Sequence, residues 1–203
     1  MKPTVINNTN FPYLIVDDWY TEEELNRVLI ELKSLSTTAM VRTEDGHGSI
    51  DKAKQFRIFP EKIYSDYGLQ YSPIFSCLKK QQQQEFHELV HKTFENTKTA
   101  LSLQFVSTNA TDTIINYYEQ GDEYNTHFDI FQFTIIIMVY QTPKSFTGGE
   151  LVLNYNDTVE CKNNRLVLFP SHYWHGVKKI EMNKNEDKGY GRYSISHFYY
   201  SKV

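Results

Sequence analysis

The chain has 203 residues, 40% of them hydrophobic and 15% aromatic, which is enough apolar mass for one ordinary core and a single globular domain over 1–203. A formal charge of -4 and an isoelectric point near 6.0 argue against a nucleic-acid module, which would need a basic face. Cys77 and Cys161 stand in unrelated contexts and read as two reduced thiols, not as a disulfide or a zinc site. The first thirty residues have no basic stretch leading into an apolar one, and the longest apolar run, 135–140, is too short to span a bilayer. A cytoplasmic protein with neither membrane nor nucleic acid as partner is expected.

In chain order, Thr21 with Glu24 forms a capping-box pattern. Leu25, Val28, Leu29, Leu32 and Leu35 follow at helical spacing. Residues 40–60 are polar, glycine-flanked and aperiodic, so they read as a loop or irregular hairpin, with a lid over an active site as the sharper option. Arg42 and Arg57 in that stretch are candidate substrate contacts. A second helical region opens at Ser72-Pro73 and carries Ile74, Leu78, Phe86, Leu89, Val90 and Phe94. The glutamines of 81–84 read as a solvated helix face or as a break dividing this region in two, and His87 with His91 reads as a solvated face.

From about residue 101 the texture changes to short segments rich in Ile, Val, Tyr, Phe and Thr. Strands are predicted over 101–107, 113–119, 126–131, 133–140, 150–155, 165–169, 174–178 and 190–200. Eight strands at this spacing suggest a sandwich or jelly roll, and 135–140, apolar on both faces, should lie centrally beneath the N-terminal helices. The division expected is helical support and loop over 1–100 and a β core over 101–203.

The chemistry-bearing residues are His127, Asp129 and His175. Residues two apart on a strand share a face, so His127 and Asp129 can reach one ion together. His175 follows a buried strand and a Pro turn and offers a third donor. Two neutral imidazoles and one carboxylate suit Fe(II) and leave coordination positions open. His-x-Asp alone is a weak motif, and the surrounding sequence decides its weight. His172 competes with His175 but reads as a supporting or surface residue; His47 and His197 have no partner at ligand spacing.

That surrounding sequence carries a resemblance. Residues 116–129, from Asn116-Tyr117-Tyr118 to His127-Phe128-Asp129, resemble the Y-x-x-G-x-x-Y-x-x-H-x-D segment of the prolyl 4-hydroxylase-like branch of the Fe(II)/2-oxoglutarate dioxygenases. Gly148-Gly149-Glu150-Leu151 is similar to that branch's GGEL turn, and Phe169-Pro170-Ser171 through His175-Gly176-Val177 to its FPS…HxV segment. Arg192-Tyr193-Ser194-Ile195 resembles its closing strand, and Phe11 to Trp19 its opening one. The main match covers roughly residues 100–200 in the right order.

The resemblance implies a mainly β (α+β) fold, a double-stranded β-helix (jelly-roll) core buttressed by N-terminal helices. It implies Fe(II) held by His127, Asp129 and His175, with 2-oxoglutarate and O2 as cosubstrates and ascorbate as a candidate reductant. Arg192 would pair with the distal carboxylate of 2-oxoglutarate, for which its planar fork suits better than a lysine. Tyr118, Tyr140 and Ser194 are further cosubstrate candidates, each with core packing as the alternative. The retained Asp129 points to hydroxylation rather than halogenation. The substrate, peptide or small molecule, is expected to present a prolyl residue near an aromatic mouth formed by Tyr117, Tyr124, Phe131, Tyr173 and Trp174.

One departure from the family pattern is the long interval between His175 and Arg192, where residues 178–189 are extra and charged. A longer surface hairpin would absorb them. Two rival readings are a cupin-like metalloenzyme that does not use 2-oxoglutarate and a non-catalytic jelly-roll binding module. The first leaves Arg192 unexplained, the second the intact triad.

Overall fold

The computed structural model describes residues 2–6, 11–43, 53–60, 64, 71–95, 101–183 and 188–202. Strands β1 (Lys2–Ile6) and β2 (Tyr13–Asp17) precede helix α1 (Glu22–Thr38), after which β3 (Val41–Thr43) and β4 (Ala53–Ile58) pair as a hairpin. Helices α2 (Pro73–Leu78), α3 (Gln84–Phe94) and α4 (Leu101–Val106) follow, with a 3-10 turn over Lys79–Gln82 between the first two. The rest is strand: β5 (Ala110–Tyr118), β6 (Glu123–His127), β7 (Phe133–Val139), β8 (Phe146–Gly148), β9 (Leu151–Leu153), β10 (Asp157–Val159), β11 (Arg165–Pro170), β12 (His175–Val177), β13 (Ile180–Met182) and β14 (Arg192–Tyr200).

One layer runs β1-β2-β11-β7-β14-β5 and the other β6-β12-β9-β10, with β4 pairing to both β5 and β6. This is the expected jelly roll under helical cover, although four of its strands come from the first hundred residues. β7 lies centrally and is buried along its whole length. Ile135, Ile137 and Val139 join the cluster formed with the helices, whereas Ile136 and Met138 face the interior between the layers. The period-two geometry of a strand thus feeds two cores from one apolar run.

Helix α1 begins at the predicted capping box. The Thr21 hydroxyl accepts from Glu24 N at 3.3 Å and the Glu24 carboxylate from Thr21 N at 2.8 Å. Val28, Leu29, Leu32 and Leu35 are buried against the sheet. The glutamine run does divide the second helical region, but Gln81 is no solvated face: it is fully buried and accepts a hydrogen bond from the Tyr199 hydroxyl. Residues 101–107, expected as a strand, form α4 instead. Leu101 and Phe105, four apart, are buried while Leu103 and Val106 point to solvent, the spacing of a helix face. Phe105 packs edge-on against Phe133 at 5.3 Å.

The strand expected over 126–131 ends at His127. Strands β1, β8, β10 and β13 went unrecognised; apart from β1 each has three residues, too short for an alternation to register. Residues 44–52, most of the suggested lid with His47, lie outside the described residues, as do 184–187 of the 178–189 insertion. The described part of that insertion includes β13, paired with β8. Two tyrosines then fix the chain ahead of the last strand: the Tyr117 hydroxyl accepts from Gly189 N and Gly191 N, and Tyr193 donates to Gly189 O at 3.1 Å. Arg192 thereby begins β14 directly opposite Tyr118, whatever the length of the loop before it.

His197 is a packed histidine. It is fully buried, opposite Ile135 and Thr113, and its Nδ1 bonds the Thr113 hydroxyl at 3.0 Å. Burial disfavours the imidazolium and pushes its pKa down to about 3 from the ordinary 6.5. Below pH 6.5 the unfolded chain takes up a proton that the folded one refuses, so this contribution to stability is lost as pH falls from 6.5 towards 3. In urea titrations across that window, His197→Gln is expected to show a shallower loss of stability than the wild type; equal slopes would contradict the assignment. Truncation at the helix-sheet contact, Leu32→Ala, should cost about 3 kcal/mol in the same measurement.

Candidate metal centre

The ladder between β6 and β12 sets His127 directly opposite His175, with a bulge before Val177 meets Tyr124. Each imidazole is oriented by the carbonyl two residues before it: His127 Nδ1 lies 2.9 Å from Asn125 O and His175 Nδ1 lies 2.8 Å from Tyr173 O. A carbonyl only accepts, so both Nδ1 atoms carry the proton and both Nε2 atoms are left as free lone pairs. Those atoms face one carboxylate. His127 Nε2 is 3.7 Å from Asp129 Oδ1, and His175 Nε2 is 3.3 Å from Asp129 Oδ2.

Asp129 stands in the turn after β6, so the same-face argument from strand geometry does not apply to it. Its backbone N donates to Ser171 O at 2.9 Å, and the Thr134 hydroxyl donates to Oδ2 at 3.1 Å. Thr134 and Ser171 are themselves hydrogen-bonded at 2.8 Å. These supporting residues were missed, although a threonine within an otherwise apolar buried strand is a visible signal. One donor atom from each of His127, Asp129 and His175 lies within 4.8 Å of the others, a spacing that one metal ion could bridge.

Burial lowers the pKa of His127 to about 4, helped by the neighbouring His175, so its imidazole is neutral at pH 7. Burial works to raise the pKa of Asp129, yet the two histidines and the Thr134 hydroxyl outweigh it and hold the carboxyl below its ordinary value. At neutral pH the set therefore offers the lone pair of a neutral His127 and the negative charge of Asp129, beside His175. Tyr124 stacks on His127 at 3.9 Å between centroids, and Phe169 meets the His175 ring edge-on.

These donors open into a cavity of about 300 Å³, whose walls include Tyr118, Asn116, Ser194 and Ser196. Arg192 lies on the same face of β14 as Ser194 and Ser196. It is fully buried, and among the described residues none of its three guanidinium nitrogens has a hydrogen-bond partner. Its Cζ lies 5.1 Å from the centre of the Tyr118 ring. The Cys161 thiol is beside it and its pKa is raised by burial, so it stays neutral and gives the cation no counter-charge. Gly149, at φ 76°, makes room for Arg192, since a Cβ there would come within 2.9 Å of its Cδ.

The other sequence candidates divide. Tyr118 and Ser194 line the cavity. Tyr140 does not: it packs edge-on against Phe146 at 5.3 Å with Lys144 over its ring. Of the expected aromatic mouth, Tyr124 and Phe131 line the cavity and Trp174, 39% exposed, leans on Phe128 at its rim. Tyr117 is buried on the helical side and Tyr173 against Phe11, so neither belongs to the mouth. His172 is exposed. Arg42 is held by both oxygens of the buried Asp122, at 2.6 and 2.8 Å, which makes it a structural pair; Arg57 lines the cavity.

Residues 113–200 match the family model described as the 2OG-Fe(II) oxygenase superfamily. That stretch is similar to this superfamily, for which Fe(II), 2-oxoglutarate and dioxygen are the implied reactants. Among solved structures, a prolyl-4-hydroxylase from Pseudomonas putida is similar at TM-score 0.60 and 13% identity, over 97% of this chain and 96% of that one. The viral collagen prolyl hydroxylase of Paramecium Bursaria Chlorella virus-1, in its 2OG complex, is similar at TM-score 0.55 and 12% identity, over 94% and 96%. SnoN, a non-heme α-ketoglutarate-dependent epimerase of nogalamycin biosynthesis, reaches 0.55 at 13% identity, over 93% and 77%. At such identities the likeness establishes the oxygenase jelly-roll fold and leaves the substrate open. Comparison with curated proteins gave no match. Among the described residues no helix is long and apolar enough to cross a membrane.

A buried guanidinium without a counter-ion is costly in the ligand-free protein. Arg192→Met is therefore expected to raise the urea midpoint of the ligand-free protein, by about 1 kcal/mol or more of stability. A lower midpoint would mean that the wild-type cation has a partner after all.

Proposed function

We propose that the chain, as a single catalytic domain over 1–203, is an Fe(II)- and 2-oxoglutarate-dependent dioxygenase that hydroxylates a C–H bond of a prolyl residue, in a peptide or free. The observation that carries this reading is the buried guanidinium of Arg192, without a hydrogen-bond partner among the described residues, on the strand face whose Ser194 and Ser196 line the cavity of the three converging donor atoms. A 2-oxoacid with a second carboxylate answers both features at once. One end suits a metal on His127, Asp129 and His175, and the distal carboxylate suits the fork of Arg192.

In this reading the two Nδ1–H bonds to backbone carbonyls keep both imidazoles in the ligating tautomer. Thr134 and Ser171 hold Asp129 in place. Tyr118 and Ser194 line the space in which the cosubstrate would extend towards Arg192. Tyr140 remains a further cosubstrate candidate, although it does not line this cavity and packs against Phe146. The bound iron and 2-oxoglutarate would supply oxidation of the substrate by dioxygen, one oxygen atom entering the substrate and the other the succinate formed with carbon dioxide. Apolar walls at Ile114, Ile136 and Phe198 exclude water from that reaction. Ascorbate is the proposed external reductant. The proposed compartment is the reducing cytoplasm, in keeping with two free buried cysteines. The prolyl substrate draws support from prolyl hydroxylases among the similar folds.

Anaerobic titration of the metal-free protein with Fe(II) and then 2-oxoglutarate tests the centre. A visible charge-transfer band requiring both additions is expected, absent in His127→Ala. Arg192→Met should retain Fe(II) but weaken 2-oxoglutarate at least tenfold, about 1.4 kcal/mol. Tight metal binding with no band would sink the 2-oxoglutarate assignment. Succinate formation without oxygen gain by any prolyl peptide or by free proline, followed by mass spectrometry, would overturn the substrate.

A further inference from the structure

The cavity wall holds an arginine that the metal centre does not use. Arg57, half-buried on β4, is the one lysine or arginine among the described residues lining the cavity. It stands opposite Asn116 in the ladder, and its Nε donates to Asn116 Oδ1 at 3.0 Å. Its Cζ lies 5.8 Å from the centre of the Tyr124 ring, and that ring stacks on His127. The guanidinium is thus held at a fixed place, one aromatic ring away from a donor of the metal centre. No ion pair with it is found among the described residues, whereas Arg42 is paired with Asp122 and Arg165 with Asp17. With Nε engaged by Asn116 and no other hydrogen-bond partner among the described residues, the two terminal nitrogens remain to meet a ligand.

Most of the remaining wall near this group is apolar: Phe59, Ile114, Phe131 and Phe198 line the same space. Among the described residues the only carboxylate in the lining is Asp129, which faces the two histidines. A fixed cation in a largely apolar cavity is complementary to one negative group attached to an apolar body. Arg192, buried elsewhere in the barrel beside Tyr118 and Gly149, answers the cosubstrate in the reading above.

We propose that Arg57 recognises a carboxylate of the substrate, positioned for it by Asn116 and Tyr124, and that the substrate is a small free carboxylic acid with an apolar body. The inference rests on the dioxygenase reading and narrows it: of the two prolyl forms, the free one fits, and an uncharged residue within a peptide does not.

The test uses matched acid and amide probes: L-proline with L-prolinamide, and 3-phenylpropionate with 3-phenylpropanamide. Binding is followed by tryptophan fluorescence, with Trp174 at the rim as reporter and Trp174→Phe as control for the buried Trp19. In the protein loaded anaerobically with Fe(II) and 2-oxoglutarate, at least one acid is expected to bind tenfold or more tightly than its amide. Arg57→Gln should abolish that preference and Arg57→Lys retain part of it, with the dissociation constant for 2-oxoglutarate unchanged in both. Equal binding of acids and amides overturns the proposal, as does failure of every acid to bind. A preference that survives Arg57→Gln, or weaker 2-oxoglutarate binding in that variant, overturns it equally. Failure of the dioxygenase reading shows separately, as absence of the 2-oxoglutarate band in the wild type, and the acid preference can still be read on the unloaded protein.

Discussion

His175 stands across the ladder from His127, and the candidate centre depends on that register. Side chains alternate along a strand, so a slip of one residue between β6 and β12 would send one imidazole into the cavity and the other away from it. Within each segment, the carbonyl two residues before the histidine, of Asn125 or Tyr173, meets Nδ1 and fixes a tautomer. Asp129 joins them through the turn that follows, tied by its backbone to Ser171 O. A short irregular segment can hold a carboxylate this firmly because Thr134, from the rigid central strand, donates to it. The metal-binding potential of the site is in this sense a consequence of strand register before it is one of residue type.

The second constraint is the charge buried at the head of β14. An unpaired guanidinium in the interior survives only if the surrounding fold is stable without its help. Here the Tyr118 ring covers it, Gly149 leaves space for its stem, and Tyr117 with Tyr193 fixes the glycine-flanked approach to the strand. In the proposed reading the stability forgone would be recovered as affinity for an anion, since a ligand carboxylate would restore the missing partner. Arg57 repeats the theme in milder form, half-buried and braced by Asn116.

Much of the site was legible early because the donors lie within motifs whose order along the chain is itself informative. His127, Asp129 and His175 bring their donor atoms together, Arg192 is buried at the head of β14, and Thr21 with Glu24 caps α1 as expected. The misreadings share a cause. Residues 101–107 carry β-favouring side chains, yet the core selected the helical spacing of Leu101 and Phe105. Gln81 belonged by composition to a polar run, but its partner Tyr199 is 118 residues away. Tyr117 and Tyr173 were aromatic and near the motifs, but which face each would take depended on register. Local composition cannot report a neighbour that arrives from a distant strand.

By itself the sequence determined the fold class, the fully buried strand at 135–140, the first helix and its cap, and the identity of the residues that could hold a metal and an anion. These follow from periodicity and side-chain chemistry, which are local. The tertiary structure decided which of those residues meet. It set His127 against His175, withdrew Tyr140 from the cavity, engaged Arg42 with Asp122, and left Arg57 facing the cavity and Arg192 buried without a counter-ion. Those outcomes depend on pairing between strands far apart in the chain, and such pairing is fixed only when the two layers close over a common core.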